Sequence, residues 1–130
     1  MIRILGGLST SPIGHSFGSS LIVREGFSRY ASVLYGEIRA RGDGEAVFEG
    51  RMLGYTIAHE VGHLLLGSDT HSPAGIMTAR WNSKVLRSAT RQTFSFTKEQ
   101  AEQLRANVRA RLAAEMGALQ SSESPVNAVK

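Results

Sequence analysis

The 130-residue chain has no cysteine, no internal repeat and no long apolar run. Without cysteine it can form neither disulfides nor thiolate metal sites, so any transition metal must be held by histidine and carboxylate side chains. A membrane span needs about eighteen or more consecutive apolar residues, and no segment approaches that length. Apolar residues still make up 42% of the chain, enough for a hydrophobic core. These features predict a soluble protein of one domain at most, without a membrane span.

The apolar segment at the N-terminus is too short for a secretory signal peptide, because Gly6 and Gly7 interrupt it after five residues. This pattern leaves the localisation open. A secreted or periplasmic location is compatible with a chain whose N-terminus has been shortened.

Basic residues exceed acidic ones by 15 to 11, and the isoelectric point is near 10.0. Such an excess can attract nucleic acid or acidic membranes. These basic residues do not interleave with aromatic ones and match no known binding module, so we interpret them as a solvated face and expect no nucleic-acid partner. Most of the excess lies late in the chain, at Arg80, Lys84, Arg87, Arg91, Lys98, Arg105, Arg109 and Arg111.

The first third of the chain alternates short apolar runs with glycine and serine breaks, which is typical of strands. Strands are predicted at residues 2–5, 14–18, 20–24 and 31–38, with a turn at 41–44. An edge strand near residues 14–24 could pair with an extended substrate.

Helical periodicity replaces this pattern from about residue 45 to residue 66. Gly67 is a natural helix end, and Gly62 inside the helix is expected to allow close approach of another backbone. A second helix is predicted to start at Thr97, whose capping box uses Gln100, and to end at Gly117. Its apolar face is expected to consist of Ala101, Leu104, Val108, Leu112 and Met116. The apolar positions that define the first helix are Val47, Met52, Leu53, Ile57, Val61, Leu64 and Leu65. The expected fold is α+β, with a small mixed sheet packed on a long active-site helix, then a loop and a C-terminal helix.

The first helix carries the motif His59-Glu60-Val61-Gly62-His63. Residues four apart on a helix differ by about 40° in azimuth and about 6 Å in rise, so both imidazoles lie on one face and can reach one metal ion. Glu60 need not bind the metal, and its carboxylate can take a proton from a water molecule at the open coordination position. Because apolar residues flank the motif, we expect it to lie in the interior, where unpaired polar groups are costly without a metal.

A hydrolytic zinc site needs a third protein ligand. His71 is favoured, because Gly67 allows the chain to turn back and His71 is the only histidine after the motif. Asp69 is the first alternative. Glu99, at the start of the last helix, is another, as in thermolysin-like enzymes.

The stretch from His59 to Met77 reads HEVGHLLLGSDTHSPAGIM. It resembles the metzincin clan of zinc peptidases, whose pattern is H-E-x-x-H-x-x-G-x-x-H followed by a methionine turn. The resemblance implies that Glu60 is the general base and that Met77 forms an apolar floor below the metal. It implies three metal ligands, His59, His63 and His71.

The spacing departs from the metzincin pattern. Gly67 follows His63 by four residues instead of three, and His71 follows it by eight instead of six. An ungapped alignment places Asp69 at the third-ligand position. The first strand and first helix of metzincins also have no counterpart, so we hypothesise that the chain is N-terminally truncated. A longer upstream reading frame with a strand and a helix would support this hypothesis, and an in-frame stop just before Met1 would contradict it.

The expected activity is that of a zinc-dependent metalloendopeptidase, with one catalytic Zn²⁺ and a zinc-bound water activated by Glu60. Residues 1–119 would form the metzincin-like zinc hydrolase domain and residues 120–130 a flexible tail. Two alternatives remain open: a zinc hydrolase of non-peptide amides, and a catalytically silent, zinc-stabilised binding module. The expected partner is a peptide or protein substrate. Neither the cleaved sequence nor the oligomeric state follows from these patterns.

Overall fold

The computed structural model describes residues 1–7, 17–21, 30–79, 81 and 94–122. These residues form a small sheet and three helices, which confirms the α+β prediction. The strands are β1 (Ile2–Leu5), β2 (Gly18–Leu21) and β3 (Tyr30–Leu34). The helices are α1 (Tyr35–Gly42), α2 (Ala46–Leu66) and α3 (Lys98–Ser122).

The sheet has the strand order β1-β3-β2 and is mixed, as expected. β1 runs parallel to β3, and β2 runs antiparallel to it, with Gly18 opposite Val33. The predicted strand at residues 2–5 is confirmed. β2 contains the last residue of the strand predicted at 14–18 and the first two of the strand predicted at 20–24. Phe17 lies before it and outside any strand, and residues 14–16 and 22–24 lie outside the described parts of the chain.

The predicted strand over residues 31–38 is wrong beyond residue 34, where α1 begins. Ala31 and Val33 are buried with the alternation of a strand. Ile38 and Gly42 are buried four residues apart, which is helical spacing. α1 extends to Gly42, so the predicted turn at 41–44 is limited to residues 43 and 44, both of which have positive φ angles.

The hydrophobic core lies where β3 packs against α1 and α2. Its buried members are Phe17, Val33, Ile38 and Met52. Partly buried side chains of α2 surround them, together with Trp81. The sheet thereby fixes one face of α2, which is the face that carries the motif.

α2 agrees closely with the predicted helix, and Gly67 ends it in the left-handed conformation with φ 66°. The Gly67 N–H donates to the His63 carbonyl at 2.9 Å. The most buried face of α2 is mainly polar, since Met52 is followed on it by Thr56, His59, Glu60 and His63. Val47, expected on the apolar surface, is 65% exposed. The motif therefore lies in the interior, as predicted.

The loop after α2 turns back beneath this helix through a turn at residues 75–78. The Ser72 N–H donates to the Met77 carbonyl at 2.9 Å, and Gly75 has φ 76°. Met77 is 1% exposed. A Cβ at Gly62 would lie 2.5 Å from the Met77 sulfur and 2.9 Å from Phe96. Gly62 was expected to allow a backbone to approach; it accommodates side chains instead.

α3 begins with the predicted capping box. The Thr97 N–H donates to Gln100 Oε1 at 2.9 Å, and the Gln100 N–H donates to the Thr97 hydroxyl at 3.3 Å. The predicted end at Gly117 is wrong, because α3 continues through Ser122. Part of the expected tail is therefore helical, and residues 123–130 lie outside the described residues.

The predicted packed face of α3 is confirmed only in part, at Ala101, Leu104 and Val108. Leu112 and Met116, expected on that face, are 55% and 62% exposed. The partly buried positions are Gln100, Ala101, Leu104, Asn107, Val108 and Arg111. None of the helices in the described residues is long and apolar enough to cross a membrane.

The contact between Gly62 and Met77 predicts opposite effects for two glycine substitutions on α2. We expect Gly62→Ala to lower the free energy of unfolding by about 1–2 kcal/mol, because overpacking a closed contact outweighs the gain in helix propensity. Gly54 is exposed and a Cβ there would meet nothing within 4 Å. Gly54→Ala should therefore raise the free energy of unfolding by up to about 1 kcal/mol. Urea unfolding measures both, and equal shifts would contradict the close contact.

Candidate metal centre

Three histidine side chains converge between α2 and the loop that follows it. His59 and His63 lie one turn apart on the buried face of α2, and His71 reaches them from the loop. His63 Nε2 lies 3.0 Å from His59 Nε2 and 3.3 Å from His71 Nε2. The potential ligand atoms all lie within 4.8 Å of one another, close enough to bind one metal ion.

Backbone carbonyl groups orient the two helix histidines. His59 Nδ1 donates to the Ile76 carbonyl at 2.7 Å, and His63 Nδ1 donates to the Ser68 carbonyl at 2.7 Å. Because a carbonyl oxygen can only accept, each Nδ1 carries the proton. The Nε2 atom of each neutral ring then presents a lone pair toward the other. This is the arrangement in which outer hydrogen bonds fix the tautomer of metal-binding histidines.

The separation of these nitrogens fits a shared cation. Two imidazole nitrogens on a tetrahedral zinc ion, with Zn–N near 2.0–2.1 Å, lie about 3.3–3.4 Å apart. Facing lone pairs 3.0 Å apart repel each other unless a cation lies between them. A single proton can be shared by only two nitrogens, whereas a metal ion can accept a lone pair from each of the three. The donor set therefore fits a metal ion.

The surroundings of His59 and His71 favour the neutral imidazole, which is the form that binds metals. The pKa of His59 is lowered to about 4, chiefly by burial and also by the neighbouring His63 and His71, against the opposing hydrogen bond to Ile76. Burial also lowers the pKa of His71, and the charge of His63 acts in the same direction, while Asp69 opposes both. Protons therefore compete weakly with a metal ion at neutral pH.

Glu60 is 4% exposed and lies against the edge strand β2. Its carboxylate is so close to the β2 backbone that a Cβ at Gly18 would lie 2.6 Å from Oε1. Burial raises the pKa of Glu60 to about 7, although a hydrogen bond from Ser20 opposes this rise. Oε2 is buried and has no hydrogen-bond partner among the described residues. A carboxyl group with this pKa can exchange a proton near neutral pH.

Of the three candidates for the third position, the structure brings His71 into the cluster. Asp69 is exposed and acts on His71 only through its charge. Glu99 is exposed at the start of α3, where hydrogen bonds from its own N–H and from Thr97 lower its pKa. Neither belongs to a group of potential ligands among the described residues. The turn at Gly67 and the bond between Ser72 and Met77 place His71 opposite α2.

Met77, Trp81 and two residues of β2 also lie near the cluster. Met77 is buried against Gly62. Trp81 packs on Phe17 and meets the His59 ring edge-on at 5.7 Å between centroids. The contacts of Gly18 and Ser20 with Glu60 depend on β2 lying beside α2, which residue spacing does not reveal.

A scan against protein-family models, a search of curated proteins and a search of solved structures all found no match. The assignment of the centre therefore depends on its geometry and on the motif.

The metal content of purified variants tests directly which residue is the third metal ligand. We expect the wild type and Asp69→Ala to retain about one zinc ion per chain after dialysis, because three imidazoles remain. His71→Ala should retain far less, since two histidines leave the coordination incomplete. Mass spectrometry of the purified proteins measures the content. Zinc loss in Asp69→Ala combined with retention in His71→Ala would contradict the observed cluster.

Proposed function

We propose that the chain is a zinc-dependent metallopeptidase of metzincin type. The observation that carries this proposal is the convergence of three imidazole Nε2 atoms at α2, the helix that also carries a carboxylate whose buried oxygen has no hydrogen-bond partner among the described residues. The motif from His59 to Met77 supports the same activity. The altered spacing to His71 is consistent with it, because the longer loop still returns this histidine to α2.

Zinc is the metal that best suits this donor set. Three neutral imidazoles with no thiolate are typical of catalytic zinc sites, which leave the fourth position for water or substrate. Harder cations such as Mg²⁺ and Ca²⁺ prefer oxygen ligands. When bound, zinc supplies a Lewis acid that polarises a carbonyl group and makes a water molecule more acidic.

Glu60 acts as the general base and then as the general acid. Oε2 has no competing hydrogen bond in the described residues, so it can accept a proton from the attacking water. Burial keeps the carboxyl pKa near neutrality in the metal-free protein, so that the same group can return the proton to the leaving amine. Ser20, through its hydrogen bond to the carboxylate, orients Glu60 for both transfers.

The edge strand supports a peptide as the substrate. β2 pairs with β3 and forms one edge of the described sheet. An extended peptide that adds to this edge would gain main-chain hydrogen bonds. Because Gly18 lies directly over the Glu60 carboxylate, a peptide bound along β2 would pass beside the group that handles protons. A small non-peptide amide would gain no comparable binding from this strand.

Glu60→Gln tests the catalytic assignment. It keeps the size of the side chain and removes its basicity, so we expect peptide hydrolysis to fall by at least about 100-fold. Zinc content should stay at the wild-type level, because the three histidines are unchanged. Glu115→Gln, an exposed position on α3, is the matched control and should keep full activity. Digestion of a peptide library, with metal analysis of each variant, measures both properties.

The alternatives give different results in the same assay. A binding module would retain zinc and show no turnover in either wild type or Glu60→Gln. A hydrolase of non-peptide amides would cleave acyl amides but not the library. Equal peptide hydrolysis by the wild type and Glu60→Gln would contradict the role assigned to Glu60.

A further inference from the structure

The last turn of α2 ends with four backbone carbonyls that no N–H of the same helix can reach by regular pairing. The first of them, the His63 carbonyl, accepts from the Gly67 N–H at 2.9 Å. The other three belong to Leu64, Leu65 and Leu66. Carbonyl groups at a helix end are satisfied by water, by capping groups or by other side chains.

Two side chains of α3 supply the partners for these three carbonyls. Arg111 Nη2 donates to Leu64 at 2.7 Å and to Leu65 at 3.3 Å. Asn107 Nδ2 donates to Leu65 at 2.9 Å and to Leu66 at 3.4 Å. Asn107 and Arg111 lie one turn apart on α3 and together complete the hydrogen bonding of the α2 terminus.

The chemistry of both side chains suits this position. The C-terminus of a helix carries a partial negative charge, which a cationic guanidinium stabilises. The Asn107 amide is itself oriented, because its Oδ1 accepts from Gln103 Nε2 at 2.8 Å. This bond directs the Nδ2 group, the only donor of the amide, toward α2. Both residues are partly buried although the rest of α3 beyond Arg111 is exposed.

The same turn of α2 holds the metal centre together. His63 lies within it, and the Ser68 carbonyl that orients the His63 ring follows two residues after Leu66. His71 follows Ser68 by three residues, in the loop that begins at this end of α2. Helix ends fray when their terminal groups lack partners. Loss of the α3 contacts would therefore loosen both the His63 ring and the start of the loop that carries His71.

We propose that Asn107 and Arg111 are positioning residues of the metal centre, which act by holding the carbonyls of the last α2 turn. Neither side chain contacts a candidate ligand in the described hydrogen bonds; their effect passes through the backbone of Leu64–Leu66. This inference rests on the metal-binding part of the proposed function and does not require peptidase activity.

The test compares zinc affinity in Asn107→Asp and Arg111→Met with the wild type. Asn107→Asp keeps the shape and replaces the amide donor by an acceptor, and Arg111→Met keeps much of the stem and removes the guanidinium. Competition with a chromophoric chelator measures the Zn²⁺ dissociation constant. We expect each variant to bind Zn²⁺ about tenfold more weakly, the lower end of the range for outer supports of metal ligands. The visible absorption of Co²⁺-loaded protein should change in both.

Two control variants separate positioning from general stability. Arg109→Met removes an exposed arginine of the same helix and should leave the Zn²⁺ affinity unchanged within about twofold. Leu104→Ala removes a partly buried apolar side chain from the packed face of α3 without touching the α2 carbonyls. It should lower the melting temperature but leave the Co²⁺ spectrum as in the wild type.

The outcomes distinguish this inference from the proposed function. Wild-type affinities and Co²⁺ spectra in both folded variants would overturn the positioning role. A Leu104→Ala spectrum that changes as much as theirs would overturn it too, by making the effect one of stability. Weaker zinc binding in both variants would support the positioning role even if the wild type hydrolyses no peptide. Absence of zinc binding by the wild type would overturn both ideas together.

Discussion

Three imidazole rings whose Nε2 atoms converge, two of them buried on α2 and the third on the exposed loop residue His71, form the constraint on which the rest of this structure depends. A backbone carbonyl acceptor orients each of the His59 and His63 rings. Their Nε2 lone pairs therefore face each other, with the two nitrogen atoms 3.0 Å apart. Without a cation this arrangement is repulsive, and burial makes protonation of His59 unfavourable. A metal ion bound between the two rings would remove this repulsion and could take His71 as a third ligand. The convergence therefore explains why the most buried face of α2 is polar.

Each neighbouring element of the fold contributes to this centre. β2 brings Gly18 and Ser20 against Glu60, which holds the carboxylate in a buried position, and one of its oxygens has no hydrogen-bond partner among the residues that the structure describes. The loop returns through Gly75 so that the Ile76 carbonyl meets His59. α3 completes the end of α2. A small core suffices for this arrangement because one helix carries two of the three histidines and the carboxylate.

The parts of the fold that can be predicted from the sequence are those that depend on the spacing of residues close together in the chain. The motif, the helix around it, the stop at Gly67 and the Thr97–Gln100 capping box each depend on residues within four positions of one another. The boundary at Leu34 was misplaced because Tyr35 and Ile38 favour a strand by propensity, and the packing of α1 against α2 overrides that preference. The packed face of α3 was predicted only in part, because the polar side chains of Asn107 and Arg111 make several of its contacts. Contacts between distant elements, such as Gly18 with Glu60, have no local signature.

X-ray absorption at the zinc edge tests the central claim most directly, because it counts the imidazole ligands on the ion. The protein loaded with one equivalent of Zn²⁺ should show about three imidazole nitrogens and one further light atom, at about 2.0–2.1 Å. The same count should fall by one in His71→Ala. A spectrum with fewer than three imidazoles in the wild type, or a folded protein that takes up no zinc at neutral pH, would contradict the account.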